Sequence, residues 1–523
     1  ISECLVGSEM CIRDRVAGIF SENMILLRDK EVCVFGTGEN QEKIQVVIDN
    51  IEAVTEVCGG RWMVTLPPHS AGGPFVMKIS GKDCVIELGN VMYGEVWFAG
   101  GQSNMELEIQ NADYGKEELA QADYPDIRYY NVIKTPFIDD EVLKKEAAQS
   151  WHMCKNGVFR DMSAVAYFFA KKTYEQLQVP IGIIDCYQGG TSISCWLSEE
   201  NLREMPEGKP YIDEYEKVTA GQTEEAYDLA LKEYNQRLAI YNQKVEELKK
   251  KNPWITMEEL NDKAGLYPWP PPMGEKSLYR PCGLYYTMIC RVAPYTVKGF
   301  LYYQGEEDTL KTLHYDKLLE KLIVQFRRDW RDSALPFEIV QLPMFIAKNE
   351  PEDYSWPRLR LAQEQVYQLV PYTGLTVLLD LGEYDNIHPT DKKTPGTRLA
   401  LQVLEKVYRK PVEGSAMFFS FAEPVKNKLC LSFTNTYGKI KLLENGLKDI
   451  REAETEGMPI GFELSENGTD WYPASAVIRG EQIIVWNERT PHPAFVRYGY
   501  FNYGKVNVYN RAALPLAPFC EQL

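Results

Sequence analysis

Gly94-Glu95-Val96-Trp97-Phe98-Ala99-Gly100-Gly101-Gln102-Ser103-Asn104-Met105 reads as a strand running into a sharp turn. Residues 95–99 are short and mostly apolar, as in a strand buried on both faces. The pattern recurs along the chain. Ile181–Tyr187 ends at Gln188-Gly189-Gly190, Gly299–Tyr303 ends at Gln304-Gly305, and 127–132, 337–342 and 375–381 are further strand-like runs. Residues 165–177, 315–330, 358–369 and 398–408 carry apolar positions at helical spacing. Strands alternating with helices predict βαβ units, hence an α/β fold with a parallel sheet between two helical layers.

Either side of this region the pattern changes. Residues 16–93 hold short β-rich runs (31–37, 42–50, 62–66 and 75–80) split by Gly, Pro and Asn, and predict a small antiparallel β domain. Residues 411–523 return to strands, at 428–433, 461–464, 482–486 and 495–501, and form a second β region. The α/β domain comprises 94–198 and 277–410. Between its halves, 199–276 is a helical and Pro-rich insertion, with a charged helix over 223–251 and then Tyr267-Pro268-Trp269-Pro270-Pro271-Pro272. It reads as a solvated helix with a rigid connector, or as a rim that shapes a substrate cleft. Met10-Cys11-Ile12-Arg13-Asp14-Arg15 matches the translation of a transposase sequencing adapter, so residues 1–15 are set aside as an adapter artefact of a metagenomic assembly or a tail.

The chain has 523 residues and a net charge of −18, with 45% hydrophobic residues. That is globular composition with ample material for a core. The acidity argues against nucleic acid or an anionic membrane as partner. No apolar run reaches the ~18 residues that cross a bilayer. The twelve cysteines are scattered among apolar neighbours, which favours reduced thiols and a cytoplasmic protein. With the natural N-terminus set aside as lost, secretion or a periplasmic location stays open. The five histidines form no metal-ligand pattern, and no metal is expected.

Ligands of an open parallel sheet bind beyond the carboxyl ends of its strands. There the chain places Ser103, Gly189-Gly190, Gln304 and, after the 375–381 run, Asp385-Asn386-Ile387-His388-Pro389. A serine hydroxyl needs a base to become a nucleophile, and a carboxylate orients that base. His388 is the one histidine at an expected carboxyl end, with Asp385 three residues before it. The Ser103 and glycine N–H groups and the Gln304 amide are suitable oxyanion donors. Each has a plainer reading: Ser103 as helix cap, the glycines as a tight turn, His388 as a loop histidine, Asp385 as an Asx turn. Together, at the ends of one sheet, they read as a site.

These blocks resemble the sialate O-acetylesterase family, a branch of the SGNH (GDSL-like) hydrolases. Residues 94–105 resemble its nucleophile block, and Gln188-Gly189-Gly190-Thr191-Ser192-Ile193 its GGT block. Tyr302-Tyr303-Gln304-Gly305-Glu306 is similar to WYQGE with Tyr for Trp, and 385–389 to DIHP with one extra residue between Asp and Ile. Leu359-Arg360-Leu361-Ala362-Gln363, an opening strand at 20–26 and a closing segment at 496–515 match as well. The resemblance implies an SGNH (flavodoxin-like) three-layer hydrolase domain flanked by antiparallel β domains. It implies removal of O-acetyl groups from sugars such as sialic acid, with Ser103 as nucleophile, His388 as base and Asp385 as its partner. Ser103, Gly189, Gly190 and Gln304 would form the oxyanion hole, with Gln102, Asn104 and Glu306 as site support. Many SGNH enzymes place Asn where Gln304 stands. GxSxG is absent, which argues against an ordinary α/β-hydrolase. Acetyl transfer to Ser103 and then to water needs no cofactor. The same chemistry fits an acetylated plant polysaccharide such as xylan, and a non-catalytic carbohydrate-binding protein on this scaffold is the reading of another class. Oligomeric state is not legible.

Overall fold

The strand expected at 95–99 is the inner end of a longer one, β1 (Val85–Gly101). Its outer half pairs antiparallel with Gly72–Ser80, and its inner half runs parallel to strands of the α/β sheet. The chain therefore passes between residues 93 and 94 without a break. The structure, a computed structural model, describes residues 15–82, 84–252, 255–443 and 457–523. Residues 1–14 of the proposed adapter segment lie outside the described residues.

The remaining strands of the central sheet are β2 (Asp123–Asn131), β3 (His152–Lys155), β4 (Ile181–Tyr187), β5 (Gly299–Tyr303), β6 (Phe337–Val340) and β7 (Thr373–Thr376). Their spatial order is β3-β2-β4-β1-β5-β6-β7, parallel throughout except for the edge strand β3. The chain fills the β4 side of β1 first and the β5 side afterwards. The order thus reverses at β1, which opens a crevice at its carboxyl end.

Short helix α1 (Ser103–Glu106) follows β1, and α2 (Ala164–Leu177) precedes β4. The insertion contributes α3 (Glu224–Lys251) and α4 (Met257–Ala264). Then come α5 (Tyr315–Asp329), α6 (Ser355–Leu369) and α7 (Lys393–Lys406). Neighbouring residues of a strand point to opposite faces. Trp97 meets Phe169 of α2 at 5.4 Å, while Phe98 meets Phe326 of α5 at 6.0 Å and Trp330 at 5.5 Å. One helical layer thus covers each face. β4 and β5 are buried at every position, as their apolar runs imply.

Two expectations change. The strand read at 375–381 is only Thr373–Thr376. Residues 377–379 are apolar because they are buried after leaving the sheet, and Asp380 is held there by Arg398 through two 2.6 Å bonds. Apolar content marked burial, not extension. Conversely, Ile51–Glu56 forms a hairpin with Lys43–Ile48 but has no fully buried position, so it carried no strand signal. In the C-terminal region, Phe418–Val425, Lys428–Thr434, Gln482–Trp486 and Ser475–Arg479 form one antiparallel sheet, and strands around Phe462–Ser465 form another. Among the described residues no helix is long and apolar enough to cross a membrane.

Candidate active site

β1 ends against β5. Gly101 has φ +134, and a Cβ on it would lie 2.0 Å from the Tyr303 carbonyl oxygen, so only glycine permits this approach. Gln102 fastens the two strand ends: its N–H donates to the Tyr303 carbonyl (3.0 Å) and its Oε1 accepts from the Gly305 N–H (3.1 Å). Gln102, not Ser103, is the N-cap of α1, and it makes no side-chain cap bond. The Ser103 hydroxyl is thereby free of capping duty. It lies 2.8 Å from His388 Nε2.

His388 is carried by the loop after β7. The loop is braced by Glu383, whose carboxylate accepts from the Thr390 N–H (3.1 Å) and from Asn386 Nδ2 (2.8 Å). Asn386 Oδ1 in turn accepts the His388 N–H at 3.1 Å. The imidazole opens to solvent at the crevice on one side and has protein packed around the other. Burial, then the positive charge of Lys392, pushes its pKa from 6.5 down to about 4. At neutral pH the ring is therefore an unprotonated base.

Asp385 does not join this pair. Its backbone is left-handed, φ +57, and its carboxylate turns away to accept from the Lys348 N–H (2.9 Å) and from Asn261 Nδ2 of α4 (3.1 Å). Among the described residues no carboxylate is hydrogen-bonded to the His388 ring. Ser103 and His388 are thus paired here without the expected Asp385. Asp385 is not an Asx turn either; it ties its loop to α4.

The expected oxyanion donors also divide. A Cβ on Gly189 would lie 3.2 Å from that of Ser103, which places the glycine block beside the serine. The Gly189 N–H, however, donates to Glu106 Oε2 at 2.5 Å, and Lys134 holds the other Glu106 oxygen. Gln304 is 1% exposed and faces inward. Its Nε2 donates to Asp308 (2.5 Å) and the Thr191 carbonyl (3.2 Å), and its Oε1 accepts from the Tyr315 hydroxyl (2.8 Å). Gln304 is a buried strut between two site blocks, not an oxyanion donor. The Ser103 and Gly190 amides are the expected donors left outside these bonds. A helix leaves its first N–H groups without an internal partner, which suits Ser103 at the start of α1.

Asn104 and Glu306 meet in the floor of the site. Asn104 is fully buried; its Nδ2 donates to Glu306 Oε1 (2.5 Å) and to the Ile387 carbonyl (2.9 Å), and its Oδ1 accepts from Lys392 Nζ (2.6 Å). Burial raises the Glu306 pKa and lowers that of Lys392 to about 8. Lys392 and Glu106 were not singled out from the sequence. Neither has a periodic signature, and the only signal was proximity to His388 and Ser103 along the chain.

Residues 272–405 match a family model described as carbohydrate esterase, sialic acid-specific acetylesterase. The stretch contains Gln304, Glu306, Asp385 and His388; Ser103 lies before it. The chain is 26% identical to the sialate O-acetylesterase of Mus musculus, over 93% of this chain and 88% of that protein. It is 25% identical to that of Homo sapiens, over 74% and 70%. A carbohydrate acetylesterase from Xanthomonas citri superposes with a TM-score of 0.75 at 27% identity, covering 97% of this chain and 99% of that one. The expected α/β fold, a parallel sheet between helical layers with flanking antiparallel sheets, stands.

Proposed function

We propose that this protein removes O-acetyl groups from carbohydrates, with Ser103 as nucleophile and O-acetylated sialic acid as the first substrate to test. It is a carboxylic ester hydrolase. The observation that carries the mechanism is the 2.8 Å contact between Ser103 Oγ and His388 Nε2 in the crevice beyond β1. Neutral His388 takes the serine proton as Oγ attacks the acetyl carbonyl. The tetrahedral oxyanion is received by the Ser103 and Gly190 amides, fixed dipoles of the kind worth ~10²–10³ in rate for a single donor. Protonated His388 then gives its proton to the departing sugar oxygen. A water activated by the same ring releases acetate from Ser103. Cysteines scattered among apolar neighbours suit a reducing compartment, so we propose a cytoplasmic location, with secretion or a periplasmic location as the alternative.

Acetate release from O-acetylated sialic acid and from acetylated xylo-oligosaccharide, each with a Ser103→Ala control, tests the reading. Ser103-dependent release from the first supports it. Release from the second alone keeps the chemistry and moves the substrate to plant polysaccharide. No Ser103-dependent release from either leaves a carbohydrate-binding protein on a hydrolase scaffold.

A further inference from the structure

The insertion takes no part in the chemistry above, yet it reaches the reacting pair from both sides. On one wall, α4 holds the histidine loop: Asn261 donates to Asp385, and Lys348 pairs with Glu258 (3.1 Å) and Asp262 (2.9 Å). On the other wall stands Trp269, from the Pro-rich stretch. A Cβ on Gly190, φ +70, would lie 2.1 Å from Cη2 of the indole, so the bare Cα of this glycine is the seat of the ring. Gly189, the residue before it, packs against Ser103. Ser103, Gly189, Gly190 and Trp269 therefore form one contiguous run. Tyr279 meets the indole edge-on, with centroids 5.5 Å apart and planes at 90°. Trp269 is thus fixed on two sides, yet it stays 42% exposed.

A rigid, half-open indole one glycine pair from a nucleophile is suited to a flat ligand with an apolar face. A pyranose has such a face, made of C–H groups, and its hydroxyls remain free for water and polar rims. Aromatic side chains supply contact area at low entropic cost, and pockets place them where a ligand body must be oriented. We propose that Trp269 is a specificity-determining residue: its open face stacks on the sugar ring that bears the scissile acetyl, and so selects pyranosyl acetates over small alkyl acetates. This rests on the carbohydrate esterase reading above. On this account the insertion is the rim of the substrate cleft.

The test measures acetate release by wild type, Trp269→Ala and Trp269→Phe from an acetylated pyranoside and from triacetin, which has the same ester and no ring. The ratio of kcat/KM for pyranoside over triacetin falls by about tenfold in Trp269→Ala, through KM, and Trp269→Phe recovers most of it. Equilibrium binding of the pyranoside to Ser103→Ala, with and without Trp269→Ala, reads the contact with the chemistry switched off and weakens by a similar factor. An unchanged ratio, with normal wild-type deacetylation of the sugar, overturns the role of Trp269 and leaves the esterase reading intact. A wild type that cleaves triacetin but no acetylated sugar overturns that reading and this inference with it.

Discussion

Asn104 Nδ2 donates to the Ile387 carbonyl at 2.9 Å, one residue from Ser103 on one side and one residue from His388 on the other. α1 and the loop after β7 lie 283 residues apart in the chain at this contact, and the bond fastens them where Ser103 and His388 meet. Glu306 and Lys392 fix the same amide from below.

Asn104→Ala should therefore act through position. A misplacement of about 1 Å costs on the order of 10²-fold in rate, so kcat is expected to fall by about that factor with KM little changed. The variant also leaves Glu306 and Lys392 short of a buried partner, which costs about 2–4 kcal/mol of stability. Steady-state kinetics and thermal unfolding check both. A lowered Tm with unchanged kcat would make Asn104 structural only.

The pH profile follows from His388. A general base works unprotonated, so kcat/KM rises as pH climbs through the folded pKa and then levels. Burial and Lys392 lower that pKa from 6.5 toward about 4, so the acid limb should lie below 6.5 and above about 4. Lys392→Met removes the repulsion that disfavours imidazolium, and its acid limb should move to higher pH. A limb that stays put in this variant removes Lys392 from the account of the base.

Much of this was legible in the sequence, for a physical reason. Buried parallel strands must be apolar at consecutive positions, and their ends must turn, so β4 and β5 and the polar residues after them could be read directly. Ser103 and His388 follow because chemistry in such a sheet collects at those ends. Direction of a side chain is another matter. Gln304 has the right atoms for an oxyanion donor, but Asp308, Thr191 and Tyr315 claim them, and no spacing announces which way an amide points. Asp385 stood at a plausible distance from His388 along the chain, but a left-handed backbone turned its carboxylate toward Lys348 and Asn261. Trp269 looked like part of a Pro-rich connector because its partner, Gly190, lies far away in sequence.

Glu338 in β6 gives a stability test away from the site. It is 2% exposed, its Oε2 has no hydrogen-bond partner among the described residues, and burial pushes its pKa from 4.5 to about 8, with Lys406 opposing. The folded state therefore holds a proton that the unfolded chain releases near 4.5. Stability from this group is present below that value and declines as pH rises toward about 8. Glu338→Gln should match wild type in acid and exceed it by about 1–3 kcal/mol near pH 8. Chemical unfolding across that range checks it. Parallel pH curves for the two proteins would mean that Glu338 does not titrate differently on folding.

Asp385→Asn separates a dyad from a triad. Where an aspartate orients the catalytic histidine, its replacement by asparagine drops kcat by ~10⁴. Here the Asp385 carboxylate accepts from the Lys348 amide and from Asn261, and it leaves the His388 ring alone. Asparagine keeps one acceptor oxygen for the Lys348 amide, but its new NH₂ group faces the donor on Asn261. The histidine loop loosens from α4 without losing the Ser103 contact. We expect kcat to fall by less than about tenfold, with a modest loss of stability, because the weakened contact orders a loop and does not stabilise charge on the imidazolium. Kinetics of Asp385→Asn beside His388→Ala on one acetylated substrate give the comparison. A loss for Asp385→Asn close to that for His388→Ala would mean that the carboxylate swings onto the ring during turnover, and it would return Asp385 to the catalytic set.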